Sequence, residues 1–275
     1  MPEGDSVYKL ARRLDRSLLD RTIVRSDLRV PRLATRDLTG RTILEHATHG
    51  KHLLTRFSGG ATLHSHLRMD GEWSVTGLGK QLPRRLMHDV RLVLGLDDGA
   101  TVWGLRLHDL ALVATAEEAS LIGHLGPDPL RDDWVHDEAV RRLRSRPELA
   151  LVSALLDQTL MAGLGNLWAN ELAFLTGVSP WTPIGSVDVD RLVTRAGTAL
   201  RHSATVTGAY QVTTGLSRRG ESHWVAGRQR RPCLRCGTVV LMVAELPNDP
   251  ANRRTWWCPH CQPGPGPESR NTPLR

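Results

Sequence analysis

Cys233-Leu234-Arg235-Cys236 and Cys258-Pro259-His260-Cys261 are the decisive stretches of this 275-residue chain, and they contain all four of its cysteines. Each stretch is a C-x-x-C knuckle, and residues 237–257 separate the two. Four thiolates at this spacing suit a tetrahedral zinc ion with no open coordination position. Since no secretory signal precedes them, disulfide bonds are the poorer alternative. We therefore predict one structural zinc ion, held by Cys233, Cys236, Cys258 and Cys261.

The residues around the knuckles predict a basic zinc finger built on a β-hairpin, which we assign to residues 226–262. Residues 239–245 and 254–257 have the composition of two short strands. A hairpin that only staples the fold is the alternative, but arginines cluster here, which favours contact with a nucleic-acid backbone. The remaining residues, 263–275, are rich in proline and glycine and are predicted to be disordered. The clustered arginines are Arg228, Arg230, Arg231, Arg235, Arg253 and Arg254.

Before the zinc finger, apolar residues recur with helical spacing, and we assign residues 133–225 to a helical domain. The stretch LMAGLGN at residues 160–166 forms a glycine-containing turn between two of its helices. Glycines that open onto a helix N-terminus expose backbone N–H groups, so Gly165 and Asn166 are candidates for binding a DNA phosphate. A plain glycine turn in a helical hairpin is the alternative. The predicted helices span residues 132–144, 149–160, 166–175 and 187–204.

Residues 1–120 predict a separate β-rich domain, followed by a linker at residues 121–132 where glycine and proline interrupt the pattern. A leading helix, capped by Asp5 or Ser6, comes first. Many short strands at regular spacing then indicate an antiparallel sandwich or barrel. The predicted fold class is therefore α+β, with an N-terminal antiparallel β-sandwich and a helical second domain. The predicted strands span residues 41–45, 52–57, 61–67, 90–96, 101–107 and 110–114.

The N-terminal sequence Met1-Pro2-Glu3-Gly4-Asp5 predicts a reactive amine. Removal of Met1, which a small second residue permits, leaves Pro2 with a free secondary amine beside the carboxylic acid of Glu3. A terminal amine has a reference pKa of roughly 7.7–8.0, so a useful fraction is uncharged at neutral pH. A secondary amine that condenses with an aldehyde-level carbon gives an iminium ion, which is an electron sink for elimination. A solvated chain end followed by a helix cap is the alternative.

Three further features of the β-rich region are candidates for chemistry. Lys51, in the phrase His49-Gly50-Lys51-His52, is either an edge charge or a cation placed to hold a phosphate. His64 and His66 share one strand face with no third ligand nearby, which favours packing or hydrogen bonding over a metal pair. Arg68 and Met69 lie in a turn, where an exposed methionine is usually incidental but acts as a wedge between base steps in some DNA-binding proteins.

Composition sets broad limits on the function. The formal net charge of +7 and the sequence pI near 9.9 indicate a polyanionic partner. No apolar run reaches the roughly 18 residues that a membrane span needs, and the N-terminus lacks a basic-then-apolar signal pattern. We therefore expect a soluble, cytoplasmic protein associated with the nucleoid, with no membrane partner.

Taken together, these motifs resemble the formamidopyrimidine/endonuclease VIII (Fpg/Nei) family of DNA glycosylases over residues 1–262. The resemblance rests on Met1-Pro2-Glu3-Gly4, on Gly50-Lys51 before a strand, and on the helix–two-turn–helix phrase DQTLMAGLGN at residues 157–166. Its last element is the zinc hairpin with RRTWWC at residues 253–258. Four motifs in this order imply a bifunctional DNA glycosylase and AP lyase of base excision repair.

The resemblance also implies roles for individual residues. Pro2 would attack C1′ of the deoxyribose and displace the damaged base, with Glu3 as general acid/base. Lys51 would contact a phosphate and assist β-elimination. Asn166 and Arg253 would bind the phosphates that flank the flipped nucleotide, and Arg253 would also take part in the second, δ-elimination.

Further expectations follow from the same resemblance. Arg68 and Met69 fall where the family places the residues that fill the gap left by the flipped base. The partner would be damaged duplex DNA with a flipped-out lesion, and the protein would act as a monomer. The chemistry would need no redox cofactor and no catalytic metal.

The branch of the family is indicated by two stretches. Gly4 after Pro2-Glu3 is more similar to the Nei side, which removes oxidised pyrimidines. Residues 105–112 lack the Arg-Arg-Phe phrase with which Fpg proteins stack opposite an oxidised purine. We therefore predict a Nei-like enzyme for oxidised pyrimidines, although Asp5 and the turn at Met69-Asp70 depart from the best-known Nei sequences. An oxidised-purine glycosylase and a non-catalytic damaged-DNA-binding protein are the alternatives.

Overall fold

The computed structural model describes residues 2–244 and 253–267 of the chain. The chain divides into two compact units, Met1–His124 (unit 1) and Leu125–Arg275 (unit 2). The division falls inside the predicted linker, residues 121–132.

Unit 1 is an antiparallel β-sandwich with a leading helix, as predicted. Two four-stranded sheets form it, with strand orders β1-β6-β7-β5 and β2-β3-β4-β8. A short helix, α2 (Ala119–Ile122), follows the last strand. The elements before α2 are α1 (Gly4–Leu18), β1 (Ile23–Leu28), β2 (Ile43–His49), β3 (His52–Phe57), β4 (Ala61–His66), β5 (Glu72–Thr76), β6 (Val90–Leu96), β7 (Thr101–Leu105) and β8 (Asp109–Ala114).

The leading helix is fixed in unit 1 by its apolar face and by one polar link. Val7, Ala11, Leu14 and Leu18 recur at helical spacing and are buried in the same core as the inner faces of the strands. Full burial of a side chain such as leucine stabilises the fold by roughly 1.5–3 kcal/mol. Asp15 of α1 also accepts hydrogen bonds from the backbone N–H and ring Nδ1 of His46 in β2, both at 2.9 Å. The chain before α1 is therefore attached to a rigid support.

Two connections in unit 1 pass side by side from one sheet to the other. His66 pairs with Asp109 in one sheet, and Glu72 pairs with Leu105 in the other. Residues 67–71 (the first crossing) and residues 106–108 (the second crossing) therefore run next to each other. Gly71 permits the first crossing, because a Cβ there would lie 2.5 Å from the carbonyl oxygen of Leu67.

Unit 2 combines a helical region with a C-terminal hairpin. Its helical core is built from apolar side chains that include Leu155, Trp168 and Leu200, all almost fully buried. The third of its helices ends where predicted, because Gly177 adopts the left-handed conformation with φ of 78° that closes a helix. The elements are α3 (His136–Arg144), α4 (Leu151–Leu156), α5 (Asn166–Thr176), α6 (Val189–Thr205), β9 (Leu241–Ala244) and β10 (Arg254–Trp257).

Several predicted element bounds need correction. The strand predicted at residues 41–45 is β2, which continues to His49, and the sequence patterns missed β1 and β5 altogether. The helix predicted at residues 149–160 stops at Leu156, because the Asp157 side chain accepts the backbone N–H of Thr159 at 2.9 Å and turns the chain. The helix predicted from residue 132 begins only at His136.

The predicted disorder of residues 263–275 also needs correction at its start. The carbonyl oxygens of Pro263 and Pro265 accept hydrogen bonds from the backbone N–H and the hydroxyl of Ser179. Backbone acceptors of the tail are thus held by the turn that follows α5. Residues 268–275 and Glu245, the last residue of a predicted strand, lie outside the described residues.

Candidate functional site

The N-terminal amine is placed directly before α1. Glu3 is the N-cap of this helix and is only 2% exposed, whereas Pro2 is half-buried. The hydroxyl of Ser6 accepts the backbone N–H of Glu3 at 3.2 Å, and the Asp5 carboxylate accepts the N–H of Ser6 at 2.8 Å. These capping bonds fix the backbone next to Pro2. A buried carboxyl group therefore lies one residue from an amine that cannot move freely.

Asp5, one of the departures from the family pattern, is a structural residue. It is fully buried, and its carboxylate satisfies the first turn of α1 through Ser6. An acidic group in the first turn also interacts favourably with the positive end of the helix dipole. Asp5 therefore supports the helix that follows the amine.

Lys51 lies in a tight turn between β2 and β3, directly before β3, as the sequence predicted. His49 pairs with His52 across the hairpin, so Gly50 and Lys51 form its two-residue loop. Gly50 has φ of 57°, and glycine at the first loop position is what such hairpins favour. The half-buried Lys51 side chain is consequently presented at a fixed place. Burial is the main cause that lowers the pKa of His66, and the positive charge of Lys51 acts in the same direction.

A cluster of histidines lies beside Lys51. His52 Nδ1 is 2.7 Å from His64 Nε2, and the His52 ring centroid is 4.8 Å from that of His66. The ring of His124 stands edge-on to His52 at 6.4 Å. The prediction that His64 and His66 have no third ligand nearby is therefore wrong, since strand pairing brings His52 opposite His66 and the His52 ring contacts His64.

The histidine cluster nevertheless behaves as hydrogen-bonded packing, as predicted. Burial is the main cause that lowers the pKa of His52 to about 3 and that of His64 to about 4. The positive charges that would arise on neighbouring histidines act in the same direction. Neutral imidazoles can share the short His52–His64 contact as donor and acceptor. Within the described residues, the cysteines are the one group with metal-binding geometry.

Arg68 and Met69 have different surroundings, although they are neighbours. The Met69 side chain is 64% exposed. The Arg68 guanidinium is held by the Asp109 carboxylate through bonds of 2.6 and 2.9 Å. That contact is also the main cause that lowers the pKa of Asp109. Both side chains are exposed, but the Arg68 guanidinium is bound by a carboxylate of the protein, whereas Met69 presents an apolar side chain to solvent.

In unit 2, the structure brings Asn166 and the segment around Arg253 together. Asn166 is the first residue of α5, and its side-chain amide donates to the carbonyl oxygen of Arg254 at 2.9 Å. Gly165 caps the helix and is buried, so the half-buried Asn166 is the more accessible of the two. Arg253, which is half-buried, immediately precedes the carbonyl that Asn166 binds.

Two residues that support this region were not predicted from the sequence. Asn170 is fully buried, and its side-chain oxygen accepts the N–H of Trp256 at 2.8 Å. Its amide donates to the carbonyl of Asn166 at 2.7 Å, so α5 and β10 are joined by two asparagines. A polar residue one turn after Asn166 on an otherwise apolar helix was the available signal.

Glu171 is the second missed residue, and it holds the segment that precedes the zinc finger. Its fully buried carboxylate accepts the backbone N–H groups of Trp224, Val225 and Ala226, each at 2.8 Å. The Thr213 hydroxyl donates to the same group. A buried carboxylate is costly unless it is satisfied in this way. Glu171 therefore fixes the shape of residues 213–226.

The four cysteines converge as their spacing predicts. Their sulfur atoms all lie within 4.8 Å of one another, and none forms a disulfide bond. Two of the separations are 3.9 Å, between Cys233 and Cys261, and 3.5 Å, between Cys236 and Cys258. A tetrahedral ion with metal–sulfur bonds of roughly 2.3 Å needs sulfurs about 3.8 Å apart. The cluster could hold a metal ion and is consistent with a zinc finger.

The arginines near the hairpin divide into tied and exposed groups. Arg228 is buried and donates to the carbonyls of Gly220 and Pro232. The Arg235 guanidinium stacks on the rings of Phe174 and Trp224 at 4.4 and 5.0 Å. These two arginines stabilise unit 2. Besides Arg235, the arginines with exposed side chains in the segment are Arg218, Arg219, Arg230, Arg231 and Arg254.

Comparisons with known proteins agree with this geometry. A model described as the formamidopyrimidine-DNA glycosylase N-terminal domain matches residues 1–110, and one described as the formamidopyrimidine-DNA glycosylase H2TH domain matches residues 125–209. Over 270 residues the chain is 50% identical to the "Probable endonuclease 8 2" of Streptomyces coelicolor, covering 97% of this chain and 96% of that protein.

Two further matches extend the comparison. The chain is 40% identical over 263 residues to the "DNA-(apurinic or apyrimidinic site) lyase Nei2" of Mycolicibacterium smegmatis, covering 95% of this chain and 99% of that protein. The crystal structure of Lactococcus lactis Fpg with a N7-Benzyl-Fapy-dG containing DNA has a TM-score of 0.77 at 24% identity, covering 96% of this chain and 100% of that chain. This likeness shows that the fold is shared. None of the helices in the two described ranges is long and apolar enough to span a membrane.

Proposed function

Because this chain belongs to the formamidopyrimidine-DNA glycosylase family and is a DNA glycosylase with AP lyase activity, we propose that it removes oxidised pyrimidines from duplex DNA. Strand cleavage follows by β- and δ-elimination through a Schiff base on Pro2. The observation that supports this proposal best is the N-terminus, where a half-buried proline directly precedes a buried glutamic acid that caps a packed helix.

The chemistry that we propose begins once the damaged nucleotide has left the base stack. The Pro2 nitrogen then uses its lone pair to form a bond to C1′, and the bond from C1′ to the base breaks. Glu3 acts as general acid/base during this exchange, and ring opening leaves an iminium ion. Loss of a C2′ proton allows the C3′–oxygen bond to break, and a second elimination breaks the C5′–oxygen bond. Water finally hydrolyses the iminium and restores the amine.

Lys51, Asn166 and Arg253 bind phosphates in this proposal. Lys51 is a cation held at the tip of a rigid two-residue turn, which suits it to one phosphate and to assisting the first elimination. Gly165 is the N-cap of α5 and Asn166 is its first residue, and a helix N-terminus favours an anion. The bond from Asn166 to the Arg254 carbonyl keeps Arg253 close to that terminus. Arg253 also assists the second elimination.

The metal that we propose for the four cysteines is a single structural zinc ion. Zinc accepts four thiolates in tetrahedral geometry, and such closed sites serve the fold and not the reaction. Cys233, Cys236, Cys258 and Cys261 would hold it, with Val240 and Phe174 packed around them. Its removal would loosen the hairpin that contains Arg253 and Arg254.

The preference for oxidised pyrimidines is supported by the second crossing. It consists of residues 106–108, of which Leu107 is buried, and it contains no phenylalanine, tyrosine or tryptophan to stack opposite an oxidised purine. Oxidised purines remain the second candidate substrate class, since the phosphate contacts and the amine chemistry would serve them equally. As the substrate is chromosomal DNA, we expect the enzyme to act at the nucleoid in the cytoplasm.

Borohydride trapping tests the proposal. The protein is incubated with duplexes that contain one abasic site, one oxidised pyrimidine or one oxidised purine, and the adduct is located by intact mass and N-terminal peptide mapping. We expect adducts on Pro2, formed faster with the pyrimidine lesion than with the purine lesion. An adduct on Lys51 would overturn the assignment of the nucleophile. Tight DNA binding by a correctly processed chain without any adduct would indicate a non-catalytic binder.

A further inference from the structure

The two crossings of unit 1 each contain an arginine in the left-handed backbone conformation. Arg68 has φ of 51°, and Arg106 has φ of 50°. Residues with a Cβ rarely adopt this conformation, and they keep it only where surrounding contacts hold them. Glycine would be the favoured residue at both positions on backbone grounds alone. The contacts that the two arginines make must therefore explain why arginine, and not glycine, occupies these positions.

These contacts join the two crossings to each other in both directions. Arg68 of the first crossing binds Asp109, at the end of the second crossing, through two short bonds of 2.6 and 2.9 Å. Arg106 of the second crossing donates from Nε to the carbonyl oxygen of Asp70 in the first crossing at 2.9 Å. Its other nitrogens reach Asp89 at 2.6 Å and Glu72 at 3.4 Å. We call this reciprocal arrangement the arginine brace.

The arginine brace surrounds one exposed apolar side chain. Among residues 67–71 and 106–108, all of which the structure describes, Met69 is the one large hydrophobic residue that is exposed, at 64%. Leu67 in the first crossing and Leu107 in the second are buried at 7% and 0%. Each crossing is thus fixed to the core by one leucine, and two arginines join the crossings to each other.

We propose that Arg68, Arg106 and Asp109 are positioning residues that hold Met69 as a rigid wedge, so that the enzyme opens the base stack with a single preformed side chain. This inference rests on the proposed function. A wedge that is already ordered loses little conformational freedom when it enters DNA, whereas a mobile loop would have to be ordered at that step. Unstacking a base step is costly, so a rigid wedge affects the step at which the lesion leaves the duplex.

A direct contact of Arg68 with DNA is the competing role, and it predicts an effect of opposite sign. If Arg68 bound a phosphate, loss of the Asp109 carboxylate would free a cation and strengthen DNA binding. If Asp109 completes the arginine brace, the same change weakens stack opening. Asp109 also lies 3.7 Å from Nδ1 of His66, so a second variant must break the brace without touching that contact. Arg68→Gly does so, and it also removes the Cβ that makes the left-handed backbone conformation unfavourable at this position.

The test compares Asp109→Asn, Arg68→Gly and the charge exchange Arg68→Asp/Asp109→Arg with Met69→Ala. Single-turnover strand cleavage is measured on duplexes that contain one oxidised pyrimidine, and 2-aminopurine fluorescence beside the lesion reports unstacking. We expect both single brace variants to lose unstacking and about tenfold in rate, as Met69→Ala does. The charge exchange restores part of the loss. In a Met69→Ala background, Asp109→Asn has no further effect, because the wedge is already gone.

Controls separate this inference from its premise. Arg29→Ala removes an exposed arginine–aspartate pair elsewhere in unit 1 and keeps the wild-type rate and fluorescence. All variants keep a melting temperature close to that of the wild type, because exposed ion pairs contribute little to stability. Wild-type rate and unstacking in Asp109→Asn and Arg68→Gly, or tighter DNA binding by Asp109→Asn, would overturn the positioning role. A wild-type enzyme that forms no adduct on Pro2 would instead contradict the proposed function.

Discussion

Unit 1 and the C-terminal part of unit 2 use their arginines in different ways. In unit 1, several arginine side chains end on a carboxylate of the same unit. In unit 2, Arg131, Arg141, Arg142 and Arg146 are paired in the same way, but no arginine from residue 191 to residue 235 lies within 4.0 Å of a carboxylate of a described residue. The paired arginines of unit 1 are Arg12, Arg21, Arg29, Arg56, Arg68 and Arg106.

This difference distinguishes arginines that stabilise the fold from arginines whose charge is available to bind DNA. Arg56 illustrates the first use, because its contacts with Glu118 and Glu45 raise its pKa and join β3 to the residues before α2. In unit 2, exposed arginines such as Arg230 and Arg231 repel one another without internal compensation. Such a surface is neutralised by a polyanion, with release of the counterions that DNA otherwise holds. We infer that unit 2 supplies most of the affinity for DNA and that unit 1 supplies the chemistry.

Substitution at the N-terminus should give the largest effect. We expect Pro2→Gly and Glu3→Gln each to lower the rate of strand cleavage by about 10²–10⁴-fold, while DNA affinity stays within about twofold. Glycine replaces the rigid secondary amine, and glutamine removes the acid, but neither change touches the arginines of unit 2. Single-turnover cleavage and fluorescence anisotropy on the same duplex measure the two quantities. An equal fall in rate and affinity would break the division between the units.

Loss of the metal site should have the next largest effect, and on affinity. We expect Cys258→Ser to weaken DNA binding by at least about a hundredfold, because a structural zinc site contributes directly to folding. The hairpin that presents Arg253 and Arg254 then loses its support. Anisotropy and metal content by mass spectrometry report the loss, and melting of unit 1 should be unchanged. Normal affinity in a metal-free variant would show that the hairpin does not need the ion.

Local patterns in the sequence predicted much of this molecule. The helix before residue 18, the glycine that ends α5 and the convergence of four cysteines each follow from a few neighbouring residues. β1 was missed because Val24 is exposed on an edge strand and breaks the expected alternation. The role of Pro2 as a reactive amine stays a prediction, which rests on the residue's place directly before α1.

The residues that support the site could not be predicted, because their partners are distant in the chain. Glu171 binds backbone groups more than 50 residues away, and Asn170 binds Trp256 across 86. The family resemblance implied one gap-filling role for Arg68 and Met69, whereas the carboxylate of Asp109, 41 residues later in the chain, binds the Arg68 guanidinium. The partners of buried polar groups are decided by tertiary packing, which no periodicity in the sequence records.

Exposed arginines of unit 2 should have moderate effects that depend on salt. We expect Arg230→Ala and Arg231→Ala each to weaken binding about tenfold, and to reduce the slope of log affinity against log salt by about 1. Titration by anisotropy from 50 to 200 mM salt, roughly the range over which such contacts are lost, measures both.

Two matched variants sharpen this test. Arg29→Ala in unit 1 should change neither affinity nor salt slope, because its charge is already neutralised by Asp27. Arg235→Ala should lower the melting temperature of unit 2 but change the salt slope little, because Arg235 stacks on Phe174 and Trp224. An unchanged slope in Arg230→Ala and Arg231→Ala would contradict the assignment of binding charge to unit 2.

The smallest effect concerns the stability of unit 1 at acidic pH, because its buried histidines disfavour a positive charge. Burial lowers the pKa of His52 to about 3 and that of His64 to about 4, from the ordinary value of 6.5. Below pH 6.5 the unfolded chain therefore binds more protons than the folded one, so the free energy of unfolding falls as pH falls. We expect a loss on the order of 2 kcal/mol between pH 7 and pH 5.5 from this pair, roughly 1 kcal/mol from each histidine.

Thermal unfolding at the two pH values measures this loss. In His52→Gln/His64→Gln the difference in melting temperature between pH 7 and pH 5.5 should shrink, since neither position can take up a proton. His88→Gln, which changes an exposed histidine of unit 1, should keep the wild-type difference. If the double variant keeps the wild-type difference in melting temperature, His52 and His64 can be protonated in the folded chain without a cost in free energy. In that case Lys51, in the turn beside the cluster, would be less firmly held than the contacts of His52, His64 and His66 indicate.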